Sequence, residues 1–222
     1  MQKIFEHEFL DLKELQTVTI NGKRHYQVGE EAYPSVTTAL SGTAKPALEA
    51  WKKRVGESQA IAISNAAKTR GTKFHALVEQ YILNKETSLK SALPTTIELF
   101  HQVKPVLDQR IGKVYGIEAP VYSHQLRVAG RFDFAADFDG EASIIDFKTA
   151  TRPKKWQYMH GAFMQEASYS YMVYERTGLY VPKLVTIVLC GEAQEAQIFI
   201  EKSSAWLPKA VETIEEYHKQ NG

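Results

Sequence analysis

Asp133, Asp146 and Lys148 are the residues whose types and spacing most directly suggest chemistry. Between the two aspartates lies Asp139-Gly140, a pair suited to a two-residue type I′ hairpin turn because both turn positions need positive φ. With that turn, directly opposite residues carry numbers totalling 279, as Phe138 and Glu141 do. Asp133 and Asp146 also total 279. The register therefore sets their carboxylates on one face, with Cβ atoms roughly 4.5–5.5 Å apart. Like charges at that separation repel, a divalent cation between them removes the repulsion, and all-oxygen ligands suit Mg²⁺ or Mn²⁺. Strand alternation puts Lys148 on the face of Asp146 and turns Ile145 and Phe147 into the opposite layer. A metal that acidifies water, beside an ammonium that stabilises developing charge, suits phosphodiester hydrolysis. The spacing also allows a solvated polar face with an ordinary Lys–Asp contact.

The elements around this hairpin change character half-way along the chain. Leu15 to Val28 reads as a hairpin around Asn21-Gly22, and Ser35 as the N-cap of a helix over Val36 to Leu40. Helical patterning follows from about Pro46 to Ile63, and a further helix from about Thr72 to Leu83, where Phe74, Leu77, Val78, Tyr81 and Ile82 recur at helical spacing. A third stretch follows Pro94, with Pro105 expected to kink or divide it. The second half predicts strands near Val114 to Tyr122, Leu126 to Phe138 and Ala142 to Thr149, then a helix from about Lys155 to Arg176 closed by Gly178. Two strands, Lys183 to Cys190 and Ala196 to Glu201, and a helix from Ala205 to Lys219 end the chain. The expected fold class is α/β, a sheet flanked by helices, with a largely helical N-terminal region. The chain reads as one domain over 1–222, with a hairpin and helical region to 112 and the sheet core from 113.

Composition removes several function classes. One cysteine, Cys190, leaves no disulfide framework within the chain and no multi-thiolate zinc or iron–sulfur site, and a reducing compartment fits. The longest apolar runs are too short to span a bilayer, and the acid-bearing Met1 to Lys13 does not resemble a secretory or transit signal, so a cytoplasmic location is expected. Net charge is +1, but unevenly placed. Lys45 to Lys73 holds seven basic residues and two acidic ones, whereas Glu192 to Glu216 holds six acids and two bases. This polarity fits either a basic face for a polyanion or two solvated helix faces.

Gly130-Arg131-Phe132-Asp133, then Ile144-Ile145-Asp146-Phe147-Lys148-Thr149, then Gln165 and Tyr169, resemble the PD-(D/E)xK nuclease superfamily and its RecB-like exonuclease branch. Tyr33 to Thr37 and Gly71 to His75 are similar to segments of mitochondrial and phage exonucleases of that branch. The resemblance implies a restriction-endonuclease-like core. It implies that Asp133 and Asp146 ligate metal, that Phe147 lends its backbone carbonyl, that His75 is an additional ligand and that Lys148 is the catalytic lysine. It places Glu118 where this branch often carries an acid beside the metal, and makes Gln165 and Tyr169 a Gln-xxx-Tyr motif supporting the site. Taken alone, His75 reads as a structural histidine at the edge of an apolar helix face, and Glu118 as a strand-end carboxylate.

A nuclease must also hold its substrate. Arg152, Lys154 and Lys155 precede Trp156, so cations and an aromatic ring gather after the catalytic strand, as suits phosphate tracking and base stacking. Arg70 and Lys73, with Lys52, Lys53, Arg54 and Lys68, extend this reading to the helical half. The resulting expectation is a Mg²⁺-dependent DNA exonuclease, with Mn²⁺ able to substitute, acting on single-stranded or end-containing DNA in replication, recombination or repair. A structure-selective endonuclease and a non-catalytic DNA-end-binding module are the alternatives.

Overall fold

The computed structural model describes residues 3–86 and 92–221. An N-terminal antiparallel sheet of β1 (Thr17–Ile20), β2 (Lys23–Val28) and β3 (Glu31–Pro34) comes first. Its β1–β2 turn has Asn21 and Gly22 at φ 51° and 72°, the positive values that the Asn-Gly pair was expected to supply. Ser35 caps α1 (Val36–Leu40) by accepting the Thr38 N–H at 3.1 Å. The strand β3 was not anticipated from the sequence, because its four residues lack an alternating pattern long enough to register.

The two separate helices expected between Pro46 and Leu83 are divided elsewhere. α2 (Lys45–Val55) ends at Gly56, whose φ of 86° breaks the helix, and α3 runs unbroken over Glu57–Ile82. Gly71 does not end α3, because a single glycine costs only about 1 kcal/mol and the following apolar face is buried in the core. α4 (Pro94–Arg110) likewise continues through Pro105 without dividing.

The main sheet follows the order β4 (Ile111–Ser123), β5 (Val128–Phe138), β6 (Glu141–Ala150), β7 (Lys183–Cys190), β8 (Gln197–Lys202). Every neighbouring pair is antiparallel except β6–β7, whose parallel pairing requires the crossover α5 (His160–Thr177). A short 3₁₀ turn at Trp156–Tyr158 precedes α5, and Gly178 at φ 76° closes it. α6 (Ser203–Asn221) ends the described chain.

Alternation along β6 separates two cores. Ile145 and Phe147 pack with Phe74, Leu77 and Tyr81 of α3 and Leu99 and Val103 of α4. Ile144 packs with Phe163 and Met172 of α5, Trp206 and Ile214 of α6, and Val36 of α1. Helices α3 and α4 of the first half thus cover one face of the sheet built by the second, while α1 joins α5 and α6 on the other. This mixed sheet between helical layers is a restriction-endonuclease-like α/β fold. Among the described residues, no helix is long and apolar enough to cross a membrane.

Candidate active site

The register expected from Asp139-Gly140 is present: Phe138 pairs with Glu141, and the ladder continues to Phe134 with Ile145. There it opens. In place of the next backbone pairing, the Asp133 carboxylate accepts the Phe147 N–H at 3.0 Å, so a side chain satisfies the donor that the ladder leaves free. β6 meanwhile stays in register with β7, Asp146 beside Thr186 and Lys148 beside Val188. The strand carrying Asp146 and Lys148 is therefore fixed from its other side.

On the neighbouring strand, Glu118 lies between the Ile117–Phe134 and Ala119–Phe132 pairs, opposite Asp133. Its φ is 45°, an uncommon conformation for a residue other than glycine. α3 brings His75 to the same place, its Nε2 donating to the Phe147 carbonyl at 3.0 Å. Its Nδ1 is 3.4 Å from Glu118 Oε1 and 3.6 Å from Asp133 Oδ2. One ligand atom from each of His75, Glu118 and Asp133 lies within 4.8 Å of the others. Asp146 is outside that trio, buried at 4% exposure, with Lys148 Nζ 2.8 Å from both its oxygens. Hydrogen-bond geometry is met only at Oδ1, which leaves Oδ2 buried without a hydrogen bond although it is within ion-pair distance of the ammonium.

These surroundings shift the charges. Burial and then the charge on Asp146 raise the Asp133 carboxyl to about 7, against the pull of His75, Lys148 and the Phe147 N–H. Burial disfavours the charged His75 ring, yet the Glu118 hydrogen bond and the charges on Asp133 and Asp146 outweigh it and raise the imidazole to about 9. For Lys148, burial again opposes the charge, and Asp146 and Asp133 prevail, holding the ammonium above its ordinary value. The imidazolium thus supplies positive charge that a bound cation would otherwise supply. Carboxylates, one imidazole and a backbone carbonyl form a donor set that fits Mg²⁺ or Mn²⁺, and Asp146 Oδ2, which has no hydrogen bond, is the buried acceptor such an ion would satisfy.

Gln165 and Tyr169 line the same cleft, of about 720 Å³, as His75, Glu118 and Asp133. Tyr169 is buried, and burial with the charge on Asp133 lifts its phenol well above the ordinary range. Its ring lies so close to β5 that a Cβ on Gly130 would come within 2.7 Å of Cε1 and 2.8 Å of the hydroxyl oxygen. The glycine of Gly130-Arg131-Phe132-Asp133 is thereby explained by close approach.

The other expected substrate contacts are placed differently from one another. Arg70 Nε lies 3.4 Å from Thr149 Oγ1 at the end of β6, and Lys73 is exposed on α3. Arg152 faces Glu192 at 3.6 Å, and the Lys154 N–H donates to Gln197. Lys155 precedes the 3₁₀ turn. Trp156, half exposed, donates to Glu201 and packs among His160, Phe163 and Trp206. None of these six residues lines the cleft that holds Asp133.

Sequence reading missed Glu166. It is fully buried on α5, accepts from Thr186 with one oxygen and leaves the other unpaired. Burial and the charge on Asp146 push its carboxyl well above the usual carboxylate range. Position 166 follows Gln165 on the helix, and no periodicity separates it from a solvated acid. Arg24, Tyr26 and Thr37, which line the cleft from the N-terminal sheet and α1, carried no spacing signal either.

The sequence model of the PD-(D/E)XK nuclease superfamily matches residues 84–221, more than half of the chain. The chain belongs to that superfamily. Among curated proteins it is similar to mitochondrial genome maintenance exonuclease 1 of mouse, at 27% identity over 160 residues, covering 63% of this chain and 47% of that protein. The Xenopus tropicalis protein of the same name is 27% identical over 147 residues, 63% of this chain and 42% of its own. The human one is 28% identical over 162 residues, 63% of this chain and 46% of its own. The chain spans about half the length of these relatives or less. In this member of the PD-(D/E)XK superfamily, His75 lies upstream of the matched region and reaches the acids only through the packing of α3 on the sheet.

Proposed function

We propose that this PD-(D/E)XK protein is a divalent-metal-dependent deoxyribonuclease, an exonuclease acting on single-stranded or end-containing DNA. The observation that carries the reading is the opened end of the β5–β6 ladder, where His75, Glu118 and Asp133 gather in one cleft and the Asp146–Lys148 ion pair stands on the adjoining strand, close enough for the Asp146 charge to raise the Asp133 carboxyl. The name of the curated relatives, an exonuclease of genome maintenance, supports an end-dependent activity in DNA replication, recombination or repair.

Asp133, Asp146, His75 and the Phe147 carbonyl, with Glu118 beside them, would hold Mg²⁺, or Mn²⁺ in its place. The ion would acidify water and neutralise phosphate charge. Lys148, anchored by Asp146 and held in its charged form, stabilises the charge developing on the phosphate oxygens. Gln165 and Tyr169 present an amide and a neutral phenol from one face of α5 and orient the scissile phosphate. Hydrolysis of the P–O3′ bond leaves 5′-phosphate and 3′-hydroxyl ends. Arg70, Lys73 and the Arg152–Trp156 segment serve as flanking contacts for the strand.

The test compares linear and circular single-stranded DNA of the same sequence, with Mg²⁺ and with EDTA. Degradation of the linear form alone, abolished by EDTA, is the expected result. Cleavage of the circle would make the protein an endonuclease, and binding without cleavage in Mg²⁺ and Mn²⁺ would make it an end-binding module.

A further inference from the structure

A second cavity, of about 530 Å³, adjoins the catalytic cleft, and the two share Arg24 of β2 and Thr37 of α1 in their linings. It is bounded by the β1–β2 turn, by the end of α1 through Ser41 and Gly42, and by α6. Thr37 belongs to the Tyr33–Thr37 segment, for which the catalytic reading has no use. Its side chain is exposed, as is that of Arg24. The Arg24 guanidinium lies 5.6 Å from the centre of the Tyr26 ring and has no ion-pair partner among the described residues. Lys23, deeper in the second cavity, is held by neutral groups: Asn221 Oδ1 accepts from it at 2.8 Å, and the Tyr217 ring lies 5.2 Å away. Among the described residues, one carboxylate, Glu216, shares that lining with the two cations.

We infer that these joined cavities form one path for a nucleic-acid strand, with Arg24 as the phosphate contact at the junction and the second cavity as a binding subsite away from the reacting phosphate. The chemistry is direct. A guanidinium held over a ring and without an ion-pair partner among the described residues is suited to bidentate phosphate recognition, and the exposed Thr37 hydroxyl lines the same junction. The far wall is open at Gly42, where an added Cβ would meet nothing within 4 Å. The inference rests on the DNA-cleaving reading above for the identity of the ligand, and its test separates the two.

The experiment measures binding of short and long fluorescein-labelled oligothymidylates by anisotropy, across a salt series in Ca²⁺, for the wild type, Arg24→Ala, Arg24→Lys and Gly42→Glu. Hydrolysis in Mg²⁺ is measured in parallel. Arg24→Ala is expected to weaken the long strand about tenfold and to lower its salt slope by about one, with partial recovery in Arg24→Lys. Gly42→Glu is expected to weaken the long strand and spare the short one, which the catalytic cleft alone accommodates. Unchanged affinity and slope in both variants, while the wild type still cleaves, would overturn the path and leave the nuclease reading intact. Weakened binding in both variants of a protein that never cleaves would keep the path and remove the nuclease.

Discussion

The two ends of the β5–β6 hairpin are built from the same pair of strands and have opposite electrostatic characters. At the turn, Arg110 pairs with Asp139, Lys183 Nζ lies 2.9 Å from Glu141, and the ladder is closed. At the far end the ladder opens, four acids (Glu118, Asp133, Asp146 and Glu166) gather around two cations (His75 and Lys148), and two buried carboxylate oxygens lack hydrogen bonds. The turn end satisfies its groups and stabilises the fold. The open end keeps repulsion and unmet hydrogen-bonding capacity, a cost that the two packed cores offset, and unmet capacity of this kind marks where a ligand is to arrive.

The sharpest break of this contrast is catalytic. Asp146→Asn and Lys148→Met should each lower the single-turnover rate of DNA hydrolysis by at least about a hundredfold, with the fold retained by circular dichroism. Asp139→Asn, at the turn, should leave the rate unchanged. Equal losses at both ends would remove the distinction.

Next in size is packing. Gly130→Ala should destabilise the protein by about 1–3 kcal/mol in denaturant titrations, because the added Cβ meets the buried Tyr169 ring. A stability within experimental error of wild type would show that the ring is not held there.

A smaller effect separates the ends by pH. In EDTA, Asp133 and His75 both have raised pKa values, so their protonated forms stabilise the fold. The Asp133 contribution is complete below 3.8 and lost as pH rises through about 7, while that of His75 is complete below 6.5 and lost through about 9. Thermal scans should therefore show a falling midpoint from pH 6 to 9, and saturating Mg²⁺ or Mn²⁺ should flatten the fall. A fall of the same size with and without metal would contradict ion binding at the open end.

Smallest of all, Arg110→Ala at the turn should cost under about 1 kcal/mol in the same denaturant assay, since its ion pair is at the surface.

The contrast between the ends also governs what could be read from the sequence. The turn end was legible, because Asp139-Gly140 fixes a turn type and the turn fixes the register as far as Phe134 and Ile145; the expected Asp133–Asp146 pair would come next, and there the ladder has opened. Alternation then sorted Phe147 from Lys148. The opening itself was not legible, because it depends on the Asp133 side chain taking the Phe147 N–H. His75 gave only an ambiguous signal, since its role comes from α3 crossing the sheet rather than from its neighbours in sequence. Glu166 was invisible, a buried acid at a position where helix periodicity predicts nothing. The unbroken α3 was misjudged between Ile63 and Thr72, where the apolar periodicity lapses although the helix continues into its buried later turns.

The most direct measurement of the central claim is end-label release from linear single-stranded DNA, labelled at the 5′ or the 3′ end, with Mg²⁺ or EDTA, by the wild type and by Asp146→Ala. The account predicts metal-dependent release by the wild type, none in EDTA and none from Asp146→Ala. Release that persists in EDTA, or in the folded Asp146→Ala protein, would contradict it.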